Sequence, residues 1–478
     1  MMVVEFGEDK KELGAQISRD CYERMRQLYG EDLPEMVEKR GRSELNIIEM
    51  CGIERYFVLG RMVADKSREL GYPVSFRGTL GSSFVAYLLG ITDINPLEAH
   101  YVCESCHAFK CINGENDFWL VGPDLSNEHC PVCQKKLKKD GFNIPFTSFV
   151  IPDRRWLNIV INVASDIYYQ IVSFIRREFG RITVFHSLDD LDRDGEGKIV
   201  FEIISDPTLS MLHSLETETG VPHDKIPLDE MDVLKLFGGS SDIGWGMDCA
   251  VGQGYCGAIG INGYSSRKFQ KILSIANPNS FSDLARVSAL GYGGKCWTKK
   301  TKIYVASGVV DLSELVSYRD DILLYLESKG LFEEDTYRIL EQARFGKGLT
   351  EDDEKLLLYH GIPGWYVDSL KSVRYLFPKA HSYEHALRSW QLAYYKLYHP
   401  KSFYRIYLKY NRQERITDEI YVDPERLNKL IYETKDRLKK EDLAIRTMPF
   451  SAEEELNALY ILAEARARGF DIEELLAG

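Results

Sequence analysis

The chain has 478 residues, more than one hydrophobic core usually supports, so we expect two or three domains. Its hydrophobic content of 44% is ordinary for a globular protein, and we find no apolar run of about 18 residues and no secretion signal. We therefore expect a cytoplasmic protein without a membrane partner. A net charge of -13 argues against nucleic-acid binding over the whole surface, because affinity for phosphate comes mainly from Lys and Arg. Two local basic clusters, 134–139 and 297–302, are either solvated faces or nucleic-acid contacts.

The first part of the chain has helical periodicity over residues 10–70, interrupted by a short apolar stretch, Arg55–Leu59, for which we expect a strand. A strand over Gly71–Phe76 should lead through the glycine-rich turn Arg77–Ser83 into an apolar helix over Phe84–Leu89.

The rest of the chain divides into a second α/β stretch and a long helical part. The α/β stretch has a helix at about 165–179 and three expected strands, at 157–163, 181–186 and 198–204. From Pro207 onward, apolar residues recur at helical spacing. The pattern predicts an α+β fold in which a small mixed sheet is followed by a large all-helical domain.

Four of the ten cysteines form two closely spaced pairs, Cys103 with Cys106 and Cys130 with Cys133. Each C-x-x-C pair places two thiolates on one tight turn, and two such turns complete a closed tetrahedral shell for Zn²⁺. Because a closed shell leaves no position for a substrate, the predicted zinc is structural. Other possible ligands nearby are interpreted as bystanders: His107, Cys111 and His129.

The glycine-rich turn has the form of a phosphate-binding loop. Gly78 and Gly81 would let backbone N–H groups approach an anion, and Ser82 and Ser83 would add hydroxyl donors at the start of a helix. A serine that only caps the helix would give the same pattern, so both interpretations stay open.

Longer strings identify a family. Arg77–Cys103 closely resembles the palm of the bacterial replicative DNA polymerase III α subunit of PolC type, in which a glycine-serine turn binds the triphosphate of the incoming nucleotide and a four-cysteine ribbon follows. Further strings resemble the fingers of that family: Tyr318–Leu323, Gly346–Thr350, Gly364–Asp368 and Phe377–His381. The resemblance covers roughly residues 20–475. It implies a nucleotidyltransferase-like palm and helical fingers, and extends to palm and fingers only. The nucleotide-binding residues that it implies are Arg77, Gly78, Gly81, Ser82, Ser83, Arg267, Lys379 and His381.

The chain departs from this family where metal-dependent catalysis would occur. Such enzymes hold two Mg²⁺ ions on palm carboxylates, and the first two acids alternate along one strand so that they share a face. Asn158 and Val160 stand at those two positions. The third acid position falls on Val200 without a gap, and a small shift would offer Glu202 instead. Mg²⁺ is therefore expected only if a residual active site exists.

Two further departures accompany the lost acids. Residues 164–197, between the two expected palm strands, leave no room for the family's duplex-holding thumb. Gln270 stands where the fingers of the family have the second of two arginines, the first being Arg267. Asp192–Glu202 is similar to the start of a calcium loop, but its last acid comes one position early, so we expect an acidic hairpin.

These observations predict a four-part organisation: palm over 1–99, zinc ribbon over 100–145, the rest of the palm over 146–225 without a thumb, and helical fingers over 226–478. The favoured function is a catalytically degenerate polymerase relative that binds a dNTP or NTP, nucleic acid or a replication protein. One alternative is an active nucleotidyltransferase or DNA-directed DNA polymerase core that uses displaced carboxylates. The other is a pure protein-interaction module.

Overall fold

The computed structural model describes residues 2–4, 10–112, 119–149, 156–179, 182–184, 198–238, 257–411, 423–441 and 451–477. The chain divides into two compact units. The first unit comprises Met1–Ser210, Tyr292–Thr301 and Ser313–Glu384. The second comprises Met211–Gly291, Lys302–Leu312 and His385–Gly478. Residues 192–197 of the expected acidic hairpin, Asp192–Glu202, lie outside the described residues, and the remaining ones belong to a strand.

The first unit combines a small sheet with helices, as the sequence predicts. Its amino-terminal elements, in chain order, are β1 (Met2–Val4), α1 (Lys10–Tyr29), α2 (Glu35–Cys51), α3 (Glu54–Glu69), β2 (Val74–Arg77), α4 (Phe84–Leu88), β3 (His100–Val102), β4 (Phe109–Cys111), β5 (Lys138–Asp140), β6 (Trp156–Ala164), α5 (Tyr168–Phe179), β7 (Ile182–Val184) and β8 (Lys198–Asp206). Helices follow from α6 (Pro207–Thr219) onward within the described part of the chain. The predicted α+β fold is confirmed.

The central sheet has five strands in the order β2-β6-β8-β1-β7. β6 and β8 are parallel, whereas β2 pairs with β6 in antiparallel fashion. Alternate residues of β6, Ile159, Ile161 and Val163, are fully buried. A Cβ on Gly60 of α3 would lie 3.3 Å from the Cδ1 atom of Ile161, which shows how closely α3 approaches this face.

The strand expected at Arg55–Leu59 is wrong. These residues lie in the first two turns of α3, where Tyr56, Phe57, Leu59 and Gly60 are buried. Buried Val63 and Ala64 continue the same stripe. The apolar cluster is therefore one face of an amphipathic helix, which a short window cannot distinguish from a buried strand.

The segment after α4 forms a small three-stranded sheet in the order β4-β3-β5. It has a hydrophobic core of its own, made mainly of Tyr101, Leu125, Leu137 and two cysteines, Cys103 and Cys130. This core sits directly beneath the cysteine turns.

The second unit is helical throughout its described part. The helices from residue 231 to the chain end, including those of the first unit, are α7 (Met231–Lys235), α8 (Arg267–Ala276), α9 (Phe281–Tyr292), α10 (Lys299–Ala306), α11 (Arg319–Ser328), α12 (Glu333–Arg344), α13 (Glu351–Tyr359), α14 (Gly364–Ser372), α15 (Lys379–Tyr398), α16 (Pro400–Tyr410), α17 (Pro424–Glu441), α18 (Ser451–Ala467) and α19 (Ile472–Ala477). Among the described helices, none is both long and apolar enough to cross a bilayer.

A buried polar network stabilises the second unit. The Lys396 ammonium donates hydrogen bonds to the carbonyls of Gly257 and Ile259 and pairs with Glu464 at 2.8 Å. Tyr404 donates to the same carboxylate. Because these charges are fully buried, each needs its partners to offset the cost of desolvation. The tyrosines and tryptophan of α15 and α16 contribute largely to the core: Trp390, Tyr395, Tyr404 and Tyr407 are buried.

Candidate functional site

The glycine-rich turn begins where β2 ends. Arg77 is exposed at the end of the strand, Gly78 follows with a φ of +76°, and residues Leu80–Ser82 form one turn of 3₁₀ helix before α4. A side chain at Gly78 would meet nothing within 4 Å, so the backbone is open to solvent there. At Gly81 a Cβ would lie 2.2 Å from the Phe76 ring, so glycine is required for packing. The two glycines thus have different physical reasons.

The two serines of the turn also differ. Ser83 caps α4: its hydroxyl accepts the N–H of Ala86 and donates to Glu44 at 2.9 Å. Its donor is therefore already used within the protein. Ser82 is 1% exposed, and its hydroxyl has no hydrogen-bond partner among the described residues. A buried hydroxyl without a partner is unusual and marks a position where a ligand or water is expected.

A buried ion pair from α2 holds the turn from below. Arg40 pairs with Glu44 and donates to the carbonyl oxygens of Ser82, at 2.8 Å, and Ile144, at 2.9 Å. Glu44, fully buried, also accepts the N–H of Val85 at 3.2 Å. The turn is therefore connected to α2 and to residue 144 by hydrogen bonds within the protein. α4 has only five residues, so the helix contributes less positive potential than the sequence suggests.

The two central strands place the candidate acid positions side by side. The parallel register pairs Asn158 with Val200 and Val160 with Glu202. On the other side of β6, Val160 pairs with Arg77. Paired residues on neighbouring strands present side chains on the same face. Of these positions, the side chains that the structure describes on this face are Val160, one carboxylate, Glu202, and one guanidinium, Arg77.

Glu202 is half-buried and makes no hydrogen bond or ion pair with a described residue. The next acid on that face, Asp206, is engaged: it accepts from the Asn162 amide at 3.3 Å and caps α6 through the N–H of Thr208 at 2.9 Å. Asp206 stands four residues after Glu202, which is about 13 Å along a strand. The two carboxylates are too far apart to share a pair of metals about 3.5–4 Å apart. Described residues of this face do not fit a two-metal centre.

Other acids near β6 do not complete such a centre either. Asp166 accepts a hydrogen bond from the Tyr72 hydroxyl, and its N–H donates to the Ser210 hydroxyl at 3.2 Å. Asp153 lies outside the described residues.

An aromatic stack lies in the same unit as the turn. Tyr292 stacks on Phe377, with ring centroids 5.0 Å apart, and Phe377 stacks on His381 at 4.7 Å. Burial raises the pKa of Tyr292, whereas the positive charge of Arg77 lowers it, which places the guanidinium close to the phenol. The structure therefore places His381 in the stack itself, and the Arg77 charge acts on the Tyr292 hydroxyl at its other end. Sequence reasoning missed Tyr292, although the flanking glycines at 291, 293 and 294 mark an unusual backbone.

Two expected nucleotide contacts are placed differently. Lys379 is 1% exposed, and its ammonium pairs with Asp321 at 2.9 Å inside the first unit. Its charge is already compensated there. Arg267 begins α8 in the second unit, where its N–H donates to Glu453 at 2.8 Å. The nearby Gln270 is buried and donates to the carbonyl of Tyr264 at 3.0 Å.

The four predicted zinc ligands come together. The sulfur atoms of Cys103, Cys106, Cys130 and Cys133 all lie within 4.8 Å of one another. Four sulfurs bound to zinc at about 2.3 Å would be separated by similar distances, so the cluster fits a tetrahedral metal ion. Backbone N–H groups, first of Ser105 and then of Cys106, lower the pKa of Cys103 to about 6, whereas the pKa of Cys106, despite the N–H of Ala108, is raised by hydrogen bonding with the thiols of Cys130 and Cys103.

The neighbouring side chains are not part of this cluster. Among the described residues, the group contains only the four cysteines. His107 Nδ1 lies 3.4 Å from the carbonyl oxygen of Leu28, and Cys111 lies beside Met36 and Glu98. The lysines at 134–139 project largely to solvent, and Lys139 donates to the Leu125 carbonyl at 2.9 Å.

Comparison with known proteins identifies the same two parts of the chain. Residues 15–188 match the family model of the bacterial DNA polymerase III alpha NTPase domain, and residues 206–329 match that of the alpha subunit finger domain. Among similar curated proteins, the PolC-type DNA polymerase III of Mycoplasmopsis pulmonis is 29% identical over 544 residues, which covers 95% of this chain and 37% of that protein.

Two further relatives have the same name. The PolC-type DNA polymerase III of Thermotoga maritima is 27% identical, covering 93% of this chain and 38% of its own length. The PolC-type DNA polymerase III of Bacillus subtilis is 27% identical, and the match covers 82% of this chain and 33% of that protein. The chain thus spans little more than a third of the relatives it matches. The ribbon, the mixed sheet and the helices thus occur in a chain that is similar to PolC-type DNA polymerases III over most of its length and to two domains of the bacterial DNA polymerase III alpha subunit.

Proposed function

We propose that this chain is a non-catalytic member of its family that binds a nucleoside triphosphate at the turn after β2 and does not synthesise DNA. The observation that carries this proposal is the register of β6 and β8. Asn158 with Val200, and Val160 with Glu202, occupy the paired positions where the family resemblance expects the metal-binding acids.

Electrostatics explains why this arrangement would be silent. Two Mg²⁺ ions in a polymerase palm are balanced by several carboxylates, and each hard cation prefers anionic oxygen ligands. One carboxylate, Glu202, beside two isopropyl groups and an amide supplies too little negative charge. The guanidinium of Arg77, in register with Val160, adds positive charge to the same row.

Nucleotide binding is supported by features that do not depend on the metal-binding acid positions. Ser82 offers a buried hydroxyl without a partner among the described residues, and the backbone at Gly78 is open to an approaching phosphate. His381 stacks on Phe377, which stacks on the partly exposed Tyr292, and the charge of Arg77 acts on the Tyr292 hydroxyl. A cation, a free donor and a flat aromatic surface in one unit suit a nucleoside triphosphate. Ser83 and Lys379 act instead as structural groups in this proposal.

The wider setting follows from the relatives. Their name, DNA polymerase III, suggests nucleic acid or replication proteins in the cytoplasm as partners of this chain. The cysteine cluster would hold a structural Zn²⁺, which folds the ribbon and leaves no open coordination position.

Primer extension tests the absence of synthesis. The purified chain is mixed with a primed template, all four dNTPs and either Mg²⁺ or Mn²⁺. We expect no extension above that of a buffer control. Robust incorporation that survives stringent purification would refute the proposal.

One alternative has a specific observation in its favour. Glu202 is a half-buried carboxylate without a partner among described residues, so a single-acid or relocated metal site could use it for nucleotidyl transfer. In that case, turnover would be metal-dependent, and Glu202→Ala would abolish it. Turnover that Glu202→Ala leaves unchanged would indicate a contaminating enzyme.

Calorimetry with dNTPs and NTPs tests nucleotide binding. Arg77→Ala should weaken binding at least about tenfold, because a charge-assisted contact contributes roughly 1.5–3 kcal/mol. Ser82→Ala should also weaken it without reducing stability, since the hydroxyl has no partner to lose. Arg42→Ala, which removes an exposed arginine of α2, is the matched control. If no triphosphate gives heat with the unmodified chain, the chain is better described as a pure interaction module.

A further inference from the structure

Two aromatic side chains of the first unit are strongly exposed, one in the turn between α11 and α12 and one at the end of α13. Phe332 is 79% exposed and Tyr359 86%, and Leu358, next to Tyr359, is 55% exposed. Rings of this size are usually buried, and a patch of exposed apolar side chains on a folded protein often marks an interaction site. Their exposure therefore needs an explanation.

Contacts of one histidine bring these two places together. Nδ1 of His360, the residue after α13, lies 3.0 Å from the carbonyl oxygen of Lys329 in the turn. The Tyr359 ring lies edge-on to the His360 ring, with centroids 5.5 Å apart. Leu331, which precedes Phe332, is buried and fixes the turn on the core. We call residues 327–334 and 358–360 the acidic aromatic surface.

Carboxylates without partners accompany the exposed ring of Phe332. Glu333 and Glu334 follow it in the first turn of α12, Glu327 lies near the end of α11, and none of the three forms an ion pair with a described residue. Desolvation, and then the charge of Glu333, raise the pKa of Glu327, so these two carboxylates are close enough to repel each other. The same segment contains a single base, Lys329. The surface therefore carries an excess of negative charge.

The helix dipole accounts for the acids but not for the ring beside them. Acids in the first turn of a helix interact favourably with its dipole, and α13 has the same arrangement, with exposed Glu351 and Asp352 in its first turn. At α13, however, the residue before the acids is Thr350, whose side chain caps the helix. An exposed ring in that position is therefore a property of α12 and not of acidic helix starts in general.

The charge of the surface limits the kinds of partner that fit it. Nucleic acids and anionic membranes present phosphate, which these carboxylates would repel. An arginine side chain fits both features, because its planar guanidinium stacks on aromatic rings and also pairs with carboxylates through two parallel hydrogen bonds.

We propose that the acidic aromatic surface binds an arginine-rich segment of a partner protein, with guanidinium groups stacked on Phe332 and Tyr359 and paired with Glu333 and Glu334. Aromatic side chains and arginine are the residues that contribute most to affinity in protein interfaces. This inference goes beyond the proposed function, since it requires neither nucleotide at the turn after β2 nor the absence of synthesis.

Fluorescence anisotropy tests the proposal with three labelled amphipathic peptides of leucine, alanine and one charged residue type: arginine, lysine or glutamate. The unmodified chain should bind the arginine peptide most tightly, the lysine peptide more weakly and the glutamate peptide not at all. Phe332→Ala/Tyr359→Ala should weaken binding of the arginine peptide at least about tenfold, because truncation of a central aromatic contact has effects of that size. Tyr169→Ala, which removes an 81% exposed ring of α5, should leave it unchanged.

A second pair of variants tests the carboxylates. Glu333→Gln/Glu334→Gln should weaken binding of the arginine peptide about fivefold at low salt and less at high salt, because exposed ion pairs are screened. Glu351→Gln/Asp352→Asn removes the same charge from the same positions of α13 and is the matched control, which should have almost no effect. Circular dichroism confirms that each variant is folded.

Three results would overturn the proposal, whatever calorimetry shows for triphosphates. The first is no binding of the arginine peptide, or equal binding of the arginine and glutamate peptides. The second is an equal loss of affinity in a variant and its control. The third is binding of a labelled single-stranded oligonucleotide that Phe332→Ala/Tyr359→Ala weakens, because the rings would then contact nucleic acid.

Discussion

The four-cysteine ribbon and the central sheet both have a regular backbone, but they bring together different numbers of potential metal ligands. In the ribbon, four thiols converge within 4.8 Å, and two strand-linked turns present them. In the palm face, the register is as regular, yet the paired positions carry Asn158, Val160, Val200 and Glu202. The backbone is regular in both regions, but among the described residues four like ligands converge only at the cysteines.

The largest expected effect is on the ribbon. Cys130→Ser should abolish metal binding and unfold this segment, because zinc binding contributes roughly 10–16 kcal/mol in small structural sites. Metal content by mass spectrometry and thermal unfolding would measure it. Cys51→Ser, which changes an exposed thiol on α2, should alter neither quantity. A Cys130→Ser protein with full zinc content would contradict the assignment of Cys130 as a zinc ligand.

A smaller effect is expected at the glycine-rich turn. Arg40→Ala leaves Glu44 as a buried carboxylate without its cation and removes two donors to backbone carbonyls. Removing one partner of a buried pair costs about 3–5 kcal/mol. Urea unfolding should show a loss of that order. Arg42→Ala, two residues away and exposed, should have almost no effect; equal losses would mean that the pair does not support the turn.

The smallest expected effect concerns the base of the ribbon, where β5 ends. The Asp140 carboxyl is buried, which alone would raise its pKa, but Lys138 and His100 oppose this and lower the pKa from 3.8 to about 2. Because the pKa of Asp140 is lower in the folded than in the unfolded protein, its ionised carboxylate stabilises the fold above the pKa of the unfolded state. This stabilisation is lost as pH falls from about 4 toward 2. Asp140→Asn should therefore cost about 2 kcal/mol at pH 7 and much less at pH 2. A loss that is the same at both pH values would show that the charge is not responsible.

Much of the fold could be predicted because its signals are local. The cysteine spacing, the alternation in β6 and the turn after β2 all lie within short windows of sequence. The prediction of a strand over Arg55–Leu59 is wrong for the same reason. The apolar face of α3 becomes visible in the sequence only when Val63 and Ala64 are included.

The candidate site was less predictable because its properties depend on contacts distant in sequence. The strand pairing that sets Val160 beside Glu202 joins residues that are separated in sequence by helix α5 and strand β7. Lys379 carries a charge that suits phosphate, yet Asp321 neutralises it inside the fold. The sequence allows Ser83 to be either a phosphate donor or a helix cap, and its contact with Glu44 distinguishes the two uses.

Mn²⁺ binding followed by electron paramagnetic resonance tests whether the face of the sheet that carries Val160 and Glu202 lacks the charge to hold a divalent metal. The unmodified chain, with zinc retained in its ribbon, is compared with the triple variant Asn158→Asp/Val160→Asp/Val200→Asp. We expect no tight Mn²⁺ site on the palm of the unmodified chain and a new Mn²⁺ site in the triple variant. Tight binding by the unmodified chain that Glu202→Ala removes would contradict it.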